Sequence, residues 1–373
     1  MTTHSPRTAL ILGGGGARAA YQVGVLRAVR ELLPDPARNP FPLLCGTSAG
    51  AINAAMLAVR ARDFSSGVDA LVEFWSGIHA GDVYRADHLG IAAAGARWLI
   101  RRNPPSLLDN APLRHLLEQA VDFDQIEPAV AAHALLALVL TSSGYASGQS
   151  VSFFQGRADL EPWNLGQRVG AHVLPGIDHL LASSAIPFLF PAARLNREFF
   201  GDGAMRQRSP LSPAIHLGAD KILVIGDGRM SDAGEEREPG ETYPALSRIA
   251  GQALAGIYVD ALASDIEHAR HINQALELLP AETRAGGASA LRRLDVLALS
   301  PSRRLDHLAA DHVGALPRPV RALLSGIGTT RREGGALASY LLFEPPYTRA
   351  LIELGHGDTL ARADEVRHFL DIT

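Results

Sequence analysis

The pentapeptide Gly46-Thr47-Ser48-Ala49-Gly50 constrains this chain more than any other feature, because of what flanks it. An apolar run, Phe41–Cys45, leads in, and an alanine-rich helical stretch leads away. G-x-S-x-G between a strand and a helix forms a nucleophile elbow, in which the chain turns sharply and the serine hydroxyl projects from the tip. Glycines on both flanks let neighbouring backbone pass where a side chain would clash. The pentapeptide alone recurs by chance, so its companions decide what it does.

Short β-type runs alternate with longer helical ones. Thr8–Leu12, Phe41–Cys45, Leu135–Ser142, Val151–Gln155, Leu195–Phe200 and Lys221–Ile225 read as strands. Ala17–Leu33 reads as a helix with Tyr21, Val25, Ala28 and Leu32 on one face, closed by Pro34 and Pro36, and Ala49–Ala61 as another. This alternation predicts an α/β fold, a mainly parallel sheet covered by helices. Asp232–Gly240, rich in charge, glycine and proline, reads as a linker. Beyond it, Tyr243–Leu279 and the chain from Leu316 onward are mostly helical, with Leu294–Leu299 between them as a candidate extra strand. The expected organisation is a catalytic domain over 8–227 and a largely helical C-terminal extension over 228–373 packed on it.

Of 373 residues, 47% are hydrophobic and 20% charged, the balance of a globular chain with one large core or a core plus an appendage. A formal net charge of -4 gives no electrostatic case for nucleic acid. Cys45 is the only cysteine, which excludes an intrachain disulfide, and its place before the elbow reads as a buried, inert thiol. Met1–Arg7 is short and polar, without the pattern of a secretory signal. Ala129–Leu140 and Ile91–Ile100 fall short of the ~20 apolar residues a spanning helix requires. A soluble protein is expected, cytoplasmic or at most peripheral at a membrane.

Gly13-Gly14-Gly15-Gly16-Ala17-Arg18 follows the first strand and opens the first helix. Glycines at a helix N-terminus expose backbone N–H groups to an anion. For acyl transfer that makes an oxyanion hole, completed by the N–H of Ala49, the residue after the serine. A plain glycine turn is the alternative. A nucleotide reading competes, since Gly14-x-Gly16-x-x-Ala19 fits the relaxed dinucleotide fingerprint. That fingerprint calls for a carboxylate after the second strand, where this chain has Cys45-Gly46-Thr47-Ser48. No Gly-Lys-Ser/Thr follows the loop either, so no nucleotide partner is expected.

The third element is Phe199-Phe200-Gly201-Asp202-Gly203-Ala204, a carboxylate between glycines at a strand end. The 14 histidines are scattered, and His115, His179, His268, His271 and His368 fall on helical stretches where none is placed as a base. Asp202 can take the Ser48 proton directly, provided burial makes its carboxylate a stronger base than it is in water. The competing reading is a turn aspartate bonding its own backbone.

With these residues in view, the chain resembles the patatin-like phospholipase family. Leu10–Arg18 followed by Gly24-Val25-Leu26 matches the family's glycine-rich block, and Gly46–Asn53 its elbow. Ala182–Phe188 with Phe190-Pro191 resembles the segment before the catalytic aspartate, and Asp202-Gly203-Ala204 closes the set. The resemblance spans roughly residues 8–227. It implies a Ser–Asp dyad hydrolase of lipid acyl esters that needs no cofactor and no metal. Ser48 would be the nucleophile, Asp202 the base, and Gly14, Gly15 and Gly16 the lining of the oxyanion hole. Arg18 matches the family's basic position, where two roles are open: favouring the anion, or bonding carbonyls of the glycine loop. Ala19 departs from the family's usual glycine. The α/β-hydrolase alternative needs a late histidine and several strands before the elbow, whereas here one strand and its helix precede the strand that bears it.

Arg85–Arg102 sets Leu89, Ile91, Trp98, Leu99 and Ile100 among four arginines. Such a segment suits contact with an anionic bilayer, and equally a core-facing helix with solvated arginines.

Overall fold

The computed structural model describes residues 6–86, 106–226, 228, 246–278, 292–326 and 335–372. Almost all of the Arg85–Arg102 segment, and the Asp232–Gly240 linker, lie outside the described residues.

Among the described residues ten strands form one sheet: β1 (Thr8–Leu12), β2 (Leu43–Thr47), β3 (Ala137–Gly144), β4 (Ser150–Gly156), β5 (Trp163–Leu165), β6 (Arg168–His172), β7 (Ala193–Leu195), β8 (Glu198–Asp202), β9 (Lys221–Ile225) and β10 (Asp295–Leu299). The order is β10-β9-β1-β2-β3-β4-β6-β5, and β8 with β7 joins at the end of β3. From β10 to β3 every neighbour is parallel, and the β3–β4, β5–β6, β3–β8 and β7–β8 pairs are antiparallel. The expected mainly parallel α/β sheet is present.

Alternation along the central strands builds two cores. Leu10, Leu12 and Leu44 face one side, where α1 (Ala20–Leu32), α2 (Ala49–Ala58), α3 (Phe64–Gly77) and the helix Pro345–Leu360 cover them. Ala9, Ile11, Leu43 and Cys45 face the other side, against Leu211, Ala214, Leu262 and Ile266. Burial pushes the Cys45 thiol far above its ordinary range, so it stays protonated there.

The chain after 228 shares this frame. β10 extends the sheet by pairing with β9 in parallel. The helix Pro345–Leu360 packs on α1 through two glycines: a Cβ on Gly24 would sit 2.0 Å from the Ile352 carbonyl oxygen, and one on Gly355 would sit 2.2 Å from that of Tyr21. Neither backbone can retreat from a side chain there, so each helix needs glycine at the crossing.

Several strand boundaries shift from the expectation, Leu135–Ser142 becoming Ala137–Gly144 among them, and two of the differences have a plain physical reason. The run Phe41–Cys45 becomes β2 over Leu43–Thr47, because Pro42 has no N–H to donate and the ladder continues into the elbow. The single strand expected over Leu195–Phe200 is a hairpin: Asn196 adopts φ 54°, a left-handed conformation asparagine tolerates, and the chain reverses between β7 and β8.

The topology then brings two distant residues together. β2 pairs with β3 as far as Thr47↔Thr141, and Ser48 turns away into α2. That exit frees the next positions of β3, which β8 occupies in antiparallel register, Ser142↔Asp202 and Ser143↔Gly201. The end of β8 therefore meets the end of β2.

Candidate active site

Ser48 caps α2 with φ 57° and ψ −130°, backbone that only a sharp turn imposes on a non-glycine residue. Such a conformation costs about 1–3 kcal/mol and survives only where the surroundings hold it. Here they do. The Ser48 amide donates to Ser183 Oγ at 2.9 Å, and Ser183 donates in turn to the Thr141 carbonyl at 2.6 Å. Thr47 donates to Gln207 Oε1 at 2.7 Å on the other side of the turn. A Cβ on Gly50 would lie 2.3 Å from the Leu12 carbonyl oxygen, so glycine is what lets the elbow press against the end of β1.

The Ser48 hydroxyl donates to Asp202 Oδ2 at 2.6 Å, with both residues buried. The other carboxylate oxygen accepts the Ala204 amide at 2.9 Å, and the Asp202 amide donates to the Ala185 carbonyl. The carboxylate is thereby aimed at the hydroxyl by its own turn. Tyr145 closes over Gly201, and burial first, then the Asp202 charge, pushes its phenol above the usual range.

The glycine loop runs over the serine. A Cβ on Gly14 would come within 2.8 Å of the Ser48 Cβ. Among the described residues the Gly14 and Gly15 amides have no acceptor, and the Ala49 amide begins a helix and so has none within it. A buried relay fixes the loop from behind. Trp75 Nε1 donates to Asn53 Oδ1 (2.7 Å), Asn53 Nδ2 to Gln22 Oε1 (2.9 Å), and Gln22 Nε2 to the Gly13 carbonyl (2.7 Å).

A family model described as patatin-like phospholipase matches residues 10–215, more than half of the chain and a span that includes every site residue named above. The chain belongs to that family. A Pseudomonas aeruginosa cGAMP-activated phospholipase is 28% identical over 56% of this chain and 55% of its own length. An uncharacterized NTE family protein of Mycobacterium tuberculosis is 24% identical over 70% of this chain and 60% of its own. An Escherichia coli cUMP-AMP-activated phospholipase is 46% identical, but over only 13% of this chain and 16% of its own length. The first two matches thus span a little over half of those relatives.

Within this patatin-like site, the expected residues do not all stand alike. Ser48, Asp202, Gly14 and Ala49 gather at one point, and Gly15 follows Gly14 in the loop. Gly16, at φ 56°, lines the adjacent cavity and presses on the helix Gly335–Leu341, where a Cβ would come 2.2 Å from the Tyr340 carbonyl oxygen. Ala17 is packed in the core. Arg18 is buried and turns to that same helix, with Nε on Ser339 Oγ at 2.7 Å and the guanidinium 4.3 Å from the centre of the Tyr340 ring. It is a tie between the loop and the C-terminal segment.

A narrow apolar cavity opens from Ser48 and Ala49 between Ile52, Trp75, Leu113, Ile186, Phe190 and Phe343. Ser184 also lines it, with its buried hydroxyl lacking any hydrogen-bond partner among the described residues. Residue-by-residue reading assigned no role to Ser183, Gln22 or Trp75. The signal available was a pair of hydroxyls closing an apolar helix, and polar side chains on otherwise buried helix faces. Among the described residues no group of three His, Cys, Asp or Glu side chains is arranged to hold a metal ion, and no helix is long and apolar enough to cross a membrane.

Proposed function

We propose that this protein is a serine acyl hydrolase of lipid carboxyl esters, working through Ser48 and Asp202 with residues 8–227 as its catalytic unit. The observation that carries the reading is the 2.6 Å bond from the Ser48 hydroxyl to the Asp202 carboxylate, made without an intervening imidazole. Ser48 Oγ attacks the ester carbonyl while its proton passes to Asp202 Oδ2. The carbonyl π electrons move to oxygen, and the amides of Gly14, Gly15 and Ala49 receive that anion. Collapse of the tetrahedral adduct expels the alcohol, which takes the proton from Asp202, and leaves the acyl group on Ser48. Water, giving its proton to the same carboxylate, releases the fatty acid and restores the serine. The apolar cavity beside Ser48 suits a hydrocarbon chain and offers nothing to a charged acyl group.

The deciding experiment is labelling by a fluorophosphonate together with turnover of a lipid ester. Label and activity are expected on the wild type and absent from Ser48→Ala, with Asp202→Asn lowering turnover at least ~10³-fold. Undiminished turnover in Ser48→Ala overturns the reading. A wild type that neither labels nor hydrolyses favours a non-catalytic lipid- or partner-binding protein on the same fold.

A further inference from the structure

Phe188 carries two costs at one position. Its backbone sits at φ 66°, the left-handed region that a glycine would occupy without strain. Its side chain is 84% exposed, so the strain is not repaid by burial in the core. The loop is nonetheless well held: the Phe188 carbonyl accepts the Leu107 amide at 2.8 Å, and the Leu189 carbonyl accepts the Leu108 amide at 2.8 Å. An exposed phenyl ring is thus fixed between Ile186 and Phe190, both of which line the cavity beside Ser48.

The neighbouring hairpin is built in the same way. In β7–β8, Arg194 stands opposite Phe199, so both project from one face, and Gly201 on that face is covered by Tyr145. Phe199 is 53% and Tyr145 57% exposed. Tyr145 follows β3 and donates its amide to the Phe199 carbonyl at 3.0 Å; the strand that bears Phe199 ends at Asp202, and Met205 and Arg206, both exposed, follow three and four residues later. Ala185, which accepts the Asp202 amide, lies three residues before Phe188. These exposed side chains therefore sit on segments that run directly out from the end of the sheet where Ser48 and Asp202 meet.

The excess charge on the hairpin and after Asp202, which has no partner of opposite sign among the described residues, is positive. Arg194, Arg197, Arg206 and Arg208 are exposed, and among the described residues they form no ion pair, whereas Arg27, Arg30, Arg114, Arg157 and Arg304 each do. The one acid of the hairpin, Glu198, accepts the Ala146 and Ser147 amides and so is committed to holding the Tyr145 loop.

We propose that this rim, with Phe188, Phe199, Tyr145 and Met205 as apolar contacts and Arg194, Arg197, Arg206 and Arg208 as cations, seats the protein on an anionic lipid bilayer with the Ser48 cavity facing the membrane. Exposed apolar side chains interleaved with arginines match the acyl boundary and the phosphate layer of such a surface, and the apolar ones gain nothing from water alone. The inference deepens the lipid-ester reading above and rests on it. It differs from the contact expected at Arg85–Arg102, since every residue named lies outside that segment.

The test uses the full chain with Ser48→Ala, so that binding does not depend on turnover. Sedimentation is measured with vesicles of phosphatidylcholine alone and of phosphatidylcholine with one-third phosphatidylglycerol. Binding is expected to the anionic vesicles, to weaken with salt, and to drop about fivefold for each arginine changed to glutamine at 194 and 197. Phe188→Gly, which relieves the backbone while removing the ring, is expected to weaken binding about tenfold without lowering the melting temperature. Phe199→Ser supplies a second probe should that loop rearrange. No binding to either vesicle, or binding unchanged in all these variants, overturns the proposal. So does a dimer in solution that the same substitutions dissociate, which would make the rim a contact between two copies of the chain.

Discussion

Arg18 Nε lies 2.7 Å from Ser339 Oγ, a contact between residues 321 positions apart that joins the glycine loop to the helix Gly335–Leu341. Ser339 Oγ donates its own hydrogen bond to the Ala336 carbonyl at 2.6 Å, so its oxygen is oriented to accept from the guanidinium. Removing that acceptor strands part of a buried cation, at a cost of about 1–3 kcal/mol. Ser339→Ala is therefore expected to lower the melting temperature. Because Gly16 leans on the same helix through Tyr340, turnover of a soluble ester should fall with it. A variant that melts and turns over like the wild type would show that the tie is dispensable.

The buried relay behind the loop makes a second expectation. Asn53 is fully buried and bonds both Trp75 Nε1 and Gln22 Oε1. Asn53→Ala leaves two buried polar groups without partners, for about 2–4 kcal/mol of lost stability. It also frees Gln22, whose amide holds the Gly13 carbonyl. The decisive readout is kcat at a temperature where the variant is folded, expected to drop about tenfold as the oxyanion donors lose their fixed position. Reduced stability with unaltered kcat would confine the relay to packing.

Ser183 is expected to matter for the elbow without touching substrate. Its hydroxyl accepts the Ser48 amide and donates to Thr141, so it braces the strained φ of Ser48 against β3. Ser183→Ala should lower kcat far more than it raises KM, since the Michaelis complex needs the cavity and the chemistry needs the hydroxyl in place. Ser183→Thr, which keeps the hydroxyl, should recover much of the loss. Equal damage from both would point to crowding at the helix end.

How far the sequence alone reaches depends on whether a feature is local. Thr8–Leu12 and Lys221–Ile225 coincide with β1 and β9, because an unbroken apolar run bounded by turn residues is what a strand buried on both faces requires. The elbow and the glycine loop were equally legible, each being a short segment with its own backbone demand. β5 and β6 are harder to read, since they are short and half-exposed and Asn164, Arg168 and His172 break their apolar pattern, although Gly166-Gln167 between them is the two-residue turn of a hairpin. Arg18 is the instructive case. Its position beside the glycines points to an anion or a nearby carbonyl, and its contacts with Ser339, the Ala336 carbonyl and the Tyr340 ring are long-range ones that no local pattern encodes. The meeting of Ser48 with Asp202 is likewise a property of register, with β8 taking the place on β3 that β2 vacates.

Asp265 supplies a test of electrostatics away from the site. Burial raises its carboxyl above the ordinary range, and the Leu211 amide it accepts at 2.8 Å, then Arg168 and His268, pull it back only in part. A carboxyl that is a weaker acid folded than unfolded binds its proton more tightly in the native state. The folded protein is therefore penalised above the raised pKa, and the penalty fades as pH falls through it toward the unfolded value. Asp265→Asn keeps an oxygen for the Leu211 amide and removes the charge. The variant is expected to melt higher than the wild type at pH 7, with the two curves converging as the pH is lowered into the carboxylate range. Melting temperatures across that range, read in parallel for both proteins, check the sign. A constant offset at every pH would mean that the substitution acts through packing, and a lower melting temperature at pH 7 would mean that the charge is favourably held.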